Sequence, residues 1–296
     1  MIEFEGKVAV ITGSASGMGR AVAERAAQEG MKVVLADVEQ KALDKAESEM
    51  KAAGATVLAV RTDVSKPEAL QDLAKKTLDA FGGVHLLHNN AGVGGGSAIW
   101  ETSLADWNWT LNVNLWGPIH GILAFLPIML KQDTECHIVN TSSIGGLMSS
   151  PFVGGGYCTS KHGLIALSET LSHELKLMGA KIGVSVLCPG VVNTRIGQAA
   201  RNRPTELQND PAWEAKMAQL AHIRAMQEMT AQLNSTGMEP TQVAELVFDA
   251  IKEDKFYILT HPEFMMTAQT RAEEILNERQ PTSMVVDMLF GGVLGG

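Results

Sequence analysis

Lys7-Val8-Ala9-Val10-Ile11-Thr12-Gly13-Ser14-Ala15-Ser16-Gly17-Met18-Gly19-Arg20 decides the fold. A short apolar run of strand-forming residues enters a glycine-rich turn, and an amphipathic stretch, residues 21–28, follows it. Glycines at such a turn let the backbone approach a pyrophosphate, which then rests on the free N–H groups of the helix start. Gly13, Ser16, Gly17, Met18 and Gly19 are the candidate contacts. The spacing is G-x-x-x-G-x-G rather than G-x-G-x-x-G, so the strand–turn–helix context carries the reading.

The same rhythm repeats along the chain. Apolar runs at residues 7–12, 32–37, 56–61, 84–89, 136–142, 181–188 and 256–260 are rich in Val, Ile and Leu and do not alternate with polar residues. Strands buried on both faces of a parallel sheet read this way. Amphipathic stretches at 21–28, 39–53, 68–81 and 164–177 lie between them. The expected fold is therefore α/β: a doubly wound parallel sheet of about seven strands, in one domain spanning 1–296. Residues 194–239 break the rhythm with Pro204, Pro211, Trp213, Met217, Met226, Met229 and Met238. A long insertion after a sheet strand predicts a helical substrate lid. Residues 261–296 form a C-terminal extension whose apolar, glycine-rich end, 284–296, is expected to pack on the body or on a neighbouring subunit.

Composition narrows the function. A formal charge of −9 with no basic run argues against a nucleic-acid partner, because phosphate neutralisation needs clustered Lys and Arg. No signal peptide is evident at residues 1–6, and no uninterrupted apolar run approaches the ~18 residues of a membrane span. The three cysteines, Cys136, Cys158 and Cys188, lack metal-ligand spacing, so no metal site is expected and a reducing cytoplasm is the natural setting.

Asp37 closes the second run, 18 residues after Gly19. A carboxylate there accepts hydrogen bonds from the adenosine ribose and repels a 2′-phosphate. Val38, Glu39 and Gln40 follow it without a cation, which favours NAD over NADP. Further along, Tyr157-Cys158-Thr159-Ser160-Lys161 places a phenol and an ammonium four residues apart, neighbours on one helix face.

Together, residues 12–19, Asp63, Asn89-Asn90-Ala91-Gly92, Asn114, Ser142-Ser143, 157–161 and Pro189-Gly190 occur in the order and rough spacing of the short-chain dehydrogenase/reductase family, which this chain resembles from about Gly6 to Thr194. The resemblance implies a Rossmann-type domain, an NAD-dependent oxidoreductase acting on a small-molecule alcohol or ketone, and a homotetramer or homodimer. The second half is similar to members acting on bulky aryl or polycyclic alcohols, among them aryl-ether Cα-alcohol dehydrogenases of lignin breakdown.

In that chemistry the hydroxyl proton leaves as hydride leaves carbon. Lowering the pKa of a tyrosine from ~10 by about three units takes roughly 4 kcal/mol. One ammonium about 4 Å away at an effective dielectric of ~20 supplies about that amount. Lys161 is expected to do this for Tyr157, aided in oxidation by a positive nicotinamide ring. Ser142 and Ser143, as strand neighbours, point to opposite faces; the resemblance selects Ser143 to hold the substrate oxygen. It also implies that Asn114 holds a water linking Lys161 to solvent, the alternative being a helix-bending polar residue. Asp63 and Val64 are expected at the adenine, Asn90, Ala91 and Gly92 at the adenosine ribose, and Pro189, Gly190, Val192 and Thr194 at the nicotinamide carboxamide. Gly145, Met148 and Phe152, with the lid residues Trp213 and Met217, are expected to wall a broad apolar substrate pocket. Trp100, Trp107, Trp109 and Trp116 read as core or subunit-interface residues. An NADPH-accepting carbonyl reductase and a non-catalytic nucleotide sensor are the competing readings.

Overall fold

The computed structural model describes residues 1, 3–94, 97–149, 154–220, 228, 232 and 236–282. Pro151, Phe152, Val153, Met226, Met229 and the tail 284–296 lie outside them. Seven strands, β1 (Val8–Thr12), β2 (Lys32–Asp37), β3 (Val57–Arg61), β4 (Leu86–Asn89), β5 (Cys136–Thr141), β6 (Ile182–Cys188) and β7 (Tyr257–Leu259), form one parallel sheet in the order β3-β2-β1-β4-β5-β6-β7. Every expected strand is present, shortened by up to two residues at its ends.

Alternate residues of each strand enter opposite cores. Ala9, Ile11, Val33, Leu35 and Leu86 pack against Val22 and Ala26 of α1 (Gly17–Gln28), Leu43 and Met50 of α2 (Gln40–Ala52), and Val247 and Phe248 of α8 (Pro240–Lys252). Val8, Val10, Val34, Leu87 and Ile138 meet Leu70 and Leu73 of α3 (Pro67–Phe81), Phe125 and Met129 of α5 (Gly117–Gln132), and Leu171 and Leu175 of α6 (Gly155–Leu177). Both faces being buried is why these runs show no polar alternation. Strand order reverses between β1 and β4, and the crevice beyond their carboxyl ends is where sheets of this kind take ligands.

The helix before β5 runs from α4 (Leu104–Leu111) through a π-helical turn, Asn112–Trp116, into α5. This stretch, Leu104–Gln132, is long and apolar enough to cross a membrane by length and composition, although Asp106, Asn112, Asn114 and His120 interrupt its apolar run. Phe125 and Met129 are nonetheless fully buried against the sheet, so the apolarity serves the core. Of the tryptophans, Trp109 is buried and Trp107 packs on Gly155 and Gly156. Trp100 and Trp116, at 87% and 50% exposure, are surface residues rather than core.

The insertion leaves β6 and returns to its own origin. Asn193 N donates to Met238 O (2.9 Å) and Met238 N to Val191 O (3.0 Å), so the segment's two ends are pinned side by side. Between them lie 3-10 turns at Ile196–Asn202 and Thr205–Leu207 and the short α7 (Pro211–Gln219). A last helix, α9 (Met265–Leu276), follows β7.

Two imidazoles are sealed in the sheet. His88 Nε2 pairs with Thr141 Oγ1 (2.8 Å) and His137 Nε2 with Ser185 Oγ (2.7 Å), and each Nδ1 has no partner among the described residues. Burial pushes both pKa values down from 6.5 to about 3. The unfolded chain takes up these protons near pH 6.5 and the folded chain does not until about 3. Stability is therefore complete above 6.5 and falls as pH drops, by about 1.4 kcal/mol per pH unit for each histidine. His137→Leu should remove one such increment from the pH slope of urea unfolding, since Ser185 keeps its bond to Lys255 O. An unaltered slope would contradict the assignment.

Candidate active site

The glycine turn is built by packing as much as by flexibility. Gly13 has φ +65°, and a methyl there would stand 2.8 Å from Ala91 Cα; one on Gly19 would stand 2.3 Å from Gly13 O. Ser16 precedes α1 with extended backbone, its side chain makes no capping bond, and no acidic residue occupies the first turn. The N–H groups at Gly17, Met18 and Gly19 therefore face the crevice as donors for an anion. Thr12 Oγ1 accepts from Asn90 N (2.9 Å) and Ala91 N (3.1 Å), and Asn90 Nδ2 donates to Thr12 O (3.0 Å), tying the ends of β1 and β4 together. Asp37 accepts from Ala15 N (3.0 Å) and Glu39 N (3.0 Å), which holds its carboxylate beside the glycine turn. Asp63 closes the turn after β3 by accepting from Ser65 N and Oγ, and the buried Val64 packs against Gly117.

The second group sits at the carboxyl end of β5. Ser143 Oγ accepts from Gly145 N (3.0 Å) and hydrogen-bonds the Tyr157 phenol. Ser142 turns the other way and donates to Lys161 O (2.9 Å). Lys161, one turn further along α6, is buried; its Nζ donates to Thr141 O (2.8 Å) and lies 5.6 Å from the centroid of the Tyr157 ring. Asn114, in the π-helical turn, accepts from Val93 N (2.8 Å) and donates to Val93 O (2.9 Å). A methyl on Gly92 would lie 3.5 Å from Asn114 Oδ1 and 3.7 Å from Lys161 Nζ, so these groups converge there. Pro189 O receives Ile144 N, Gly190 N donates to Thr260 Oγ1 (3.0 Å), Val192 is buried, and the Thr194 methyl group reaches Gly17.

This arrangement has relatives. Residues 7–205 match the short chain dehydrogenase family model. A short chain dehydrogenase/reductase of Burkholderia phymatum, whose crystal structure is a complex with NAD, is 48% identical, with 96% of this chain and 99% of that one covered and a TM-score of 0.90. A C alpha-dehydrogenase of Sphingobium sp. is 33% identical over 95% of this chain and 89% of its own. A CLA biosynthesis dehydrogenase/reductase of Lactiplantibacillus plantarum is 32% identical over 97% and 99%. The chain belongs to the short-chain dehydrogenase family. This short-chain dehydrogenase is an oxidoreductase with the Rossmann-type sheet of that family.

Its electrostatics correct one expectation. Burial lifts the Tyr157 phenol above its ordinary value of 10, against the hydrogen bond with Ser143, which lowers it. Burial in turn brings Lys161 down to about 8. Met148 lines a cavity of about 310 Å³ whose far side is Thr267, Arg271 and Glu274 of α9, not the insertion. Gly145 is buried beside Ser143, Met217 is buried, and Trp213 is half-buried in α7.

Thr12 and Thr141 were not legible as site residues. Thr12 stood in the quoted motif with no role, and Thr141 acts through a carbonyl that any residue would supply. Because the folded chain releases the Lys161 proton near 8 and the unfolded chain near 10.5, stability rises with pH across that window. Below it, the buried charge costs on the order of 3 kcal/mol. Lys161→Met should accordingly raise the unfolding free energy at neutral pH by about 1–2 kcal/mol after loss of the Thr141 bond, while abolishing turnover. A destabilised variant would overturn the argument.

Proposed function

We propose that this short-chain dehydrogenase transfers hydride between NAD(H) and a secondary alcohol or ketone, with Tyr157 moving the proton. The observation that carries the reading is the hydroxyl pair Ser143–Tyr157 set against the buried Lys161 ammonium. A nicotinamide dinucleotide, when bound, supplies the hydride acceptor or donor. The fit rests on residues already described: the donors at Ser16–Gly19 suit a pyrophosphate, and Asp37 suits the ribose hydroxyls and repels a 2′-phosphate. Asp63 and Val64 flank the adenine end, Asn90, Ala91 and Gly92 the ribose, and Pro189, Gly190, Val192 and Thr194 the carboxamide.

Ser143 holds the substrate oxygen against the phenol. In oxidation, the Tyr157 phenolate takes the proton of the alcohol oxygen as hydride leaves the carbon bearing that oxygen, so alcohol and NAD become ketone, NADH and a proton once the phenol releases it. In reduction, the phenol returns a proton to the carbonyl oxygen. Lys161 stabilises the phenolate in either direction, and Asn114 orients the Gly92–Val93 backbone beside it. A pure nucleotide sensor has no use for a phenol beside an ammonium.

Buried Gly145 beside Ser143, with Trp213 and Met217 of the insertion as walls and 194–239 as the lid, supports a bulky apolar substrate. Exposed Trp116 and Leu123 support a homo-oligomer, and three buried cysteines without metal-ligand spacing a reducing cytoplasm.

Tyr157→Phe should lower turnover ~10²–10⁴-fold while NADH binding persists; wild-type turnover would assign the proton to another group. Initial rates with each dinucleotide test Asp37: comparable kcat/KM for NADP would remove it from its role. With Lys161 at about 8, reduction should decline as pH rises through that value, and a flat profile would detach Lys161 from the chemistry.

A further inference from the structure

We propose that Glu39 and Arg201 are positioning residues that latch the start of the insertion across the dinucleotide crevice, so that dinucleotide exchange requires the latch to open. The inference rests on the reading of that crevice as an NAD(H) site.

Residues 194–203 leave the carboxyl end of β6 and finish against the loop that follows β2. These strands are four spacings apart in the sheet order, roughly 19 Å at about 4.8 Å per strand. The path between them runs over the site. The Thr194 methyl group lies 3.2 Å from where a Cβ on Gly17 would stand, and Ile196 Cγ1 lies 3.2 Å from that point on Gly94. Ala199 packs with Val93 and Trp109.

At the far side, a single carboxylate oxygen gathers the strap. Glu39 Oε1 accepts from Arg201 Nε (2.9 Å), Arg201 Nη2 (2.6 Å) and Asn202 Nδ2 (2.7 Å). Arg201 Nη1 donates back to Arg195 O (3.2 Å) and Gln198 O (2.9 Å), so the same guanidinium shapes the crossing segment. Glu39 is two residues beyond Asp37 and bonds to it through its own N–H, which puts the latch at the adenosine end. The strap is anchored separately near α4, where Arg203 Nη1 donates to Asp106 Oδ1 (2.5 Å) and the guanidinium lies 5.2 Å from the Trp109 ring centroid.

Because the latch joins protein to protein, weakening it enlarges the open fraction, and rates of entry and exit both scale with that fraction. A contact made to the dinucleotide itself would alter exit alone. An exposed ion pair of this kind is worth about fivefold in an equilibrium.

Stopped-flow fluorescence of NADH binding and of its displacement by excess NAD measures the two rate constants. Glu39→Gln and Arg201→Met should each raise both by about fivefold and leave Kd within about twofold. Either variant suffices if the other fails to fold, as judged by thermal melting. Unchanged rates, or a faster exit with weakened Kd and unchanged entry, would overturn the latch. Wild-type protein that binds no NADH would overturn the proposed function and the latch with it; wild-type binding and turnover with unaltered exchange in the variants would overturn the latch alone.

Discussion

A lysine charge held out of water organises this molecule's chemistry. Lys161 is 3% exposed, and its Nζ bonds one carbonyl, that of Thr141 at the end of β5. A buried ammonium is costly unless it is paired, so the surrounding groups must be set with little slack. Ser142 secures the Lys161 backbone, Ser160 bonds back to Tyr157 O, and Asn114 fixes the backbone at Val93. The first ties the end of β5 to α6, the second lies within α6, and the third ties the π-helical turn to the chain after β4. Together they hold the Tyr157 phenol where Ser143 meets it.

The sheet makes that precision affordable. Parallel strands buried on both faces bring their carboxyl ends to one edge, and the reversal at β1 and β4 opens the only space that edge needs for a dinucleotide. Thr12 and Asn90 tie the two lips of the opening together, so the glycine turn and the β4 loop form one rigid floor. Stability and chemistry oppose each other here: a neutral side chain at 161 suits the core better, and a charged one suits the phenol.

The fold was legible at the level of elements because its signals are local. A turn needing left-handed glycine, an apolar run bounded by polar residues and a helical period each lie within a dozen residues. The same locality explains the errors. The first turns of α6 escaped the amphipathic pattern because the residues they bury are Gly156, Cys158, Ser160 and Lys161, which carry no apolar period. Trp100 and Trp116 read as core or subunit-interface residues, and which of the two depends on what the rest of the chain brings to them; among the described residues both are exposed.

For the site, residue types and spacing already named the phenol, the ammonium and the acidic strand end, and the family resemblance named the serine pair. That Lys161 turns toward Thr141, that burial lifts the phenol, and that Met148 looks onto α9 rather than the insertion all required coordinates. Glu39 and Arg201 stand 162 residues apart, a distance at which no motif operates. Covalent order dictates periodicity and turn chemistry directly, whereas desolvation and pairing through space depend on segments that meet only when the chain has closed on itself.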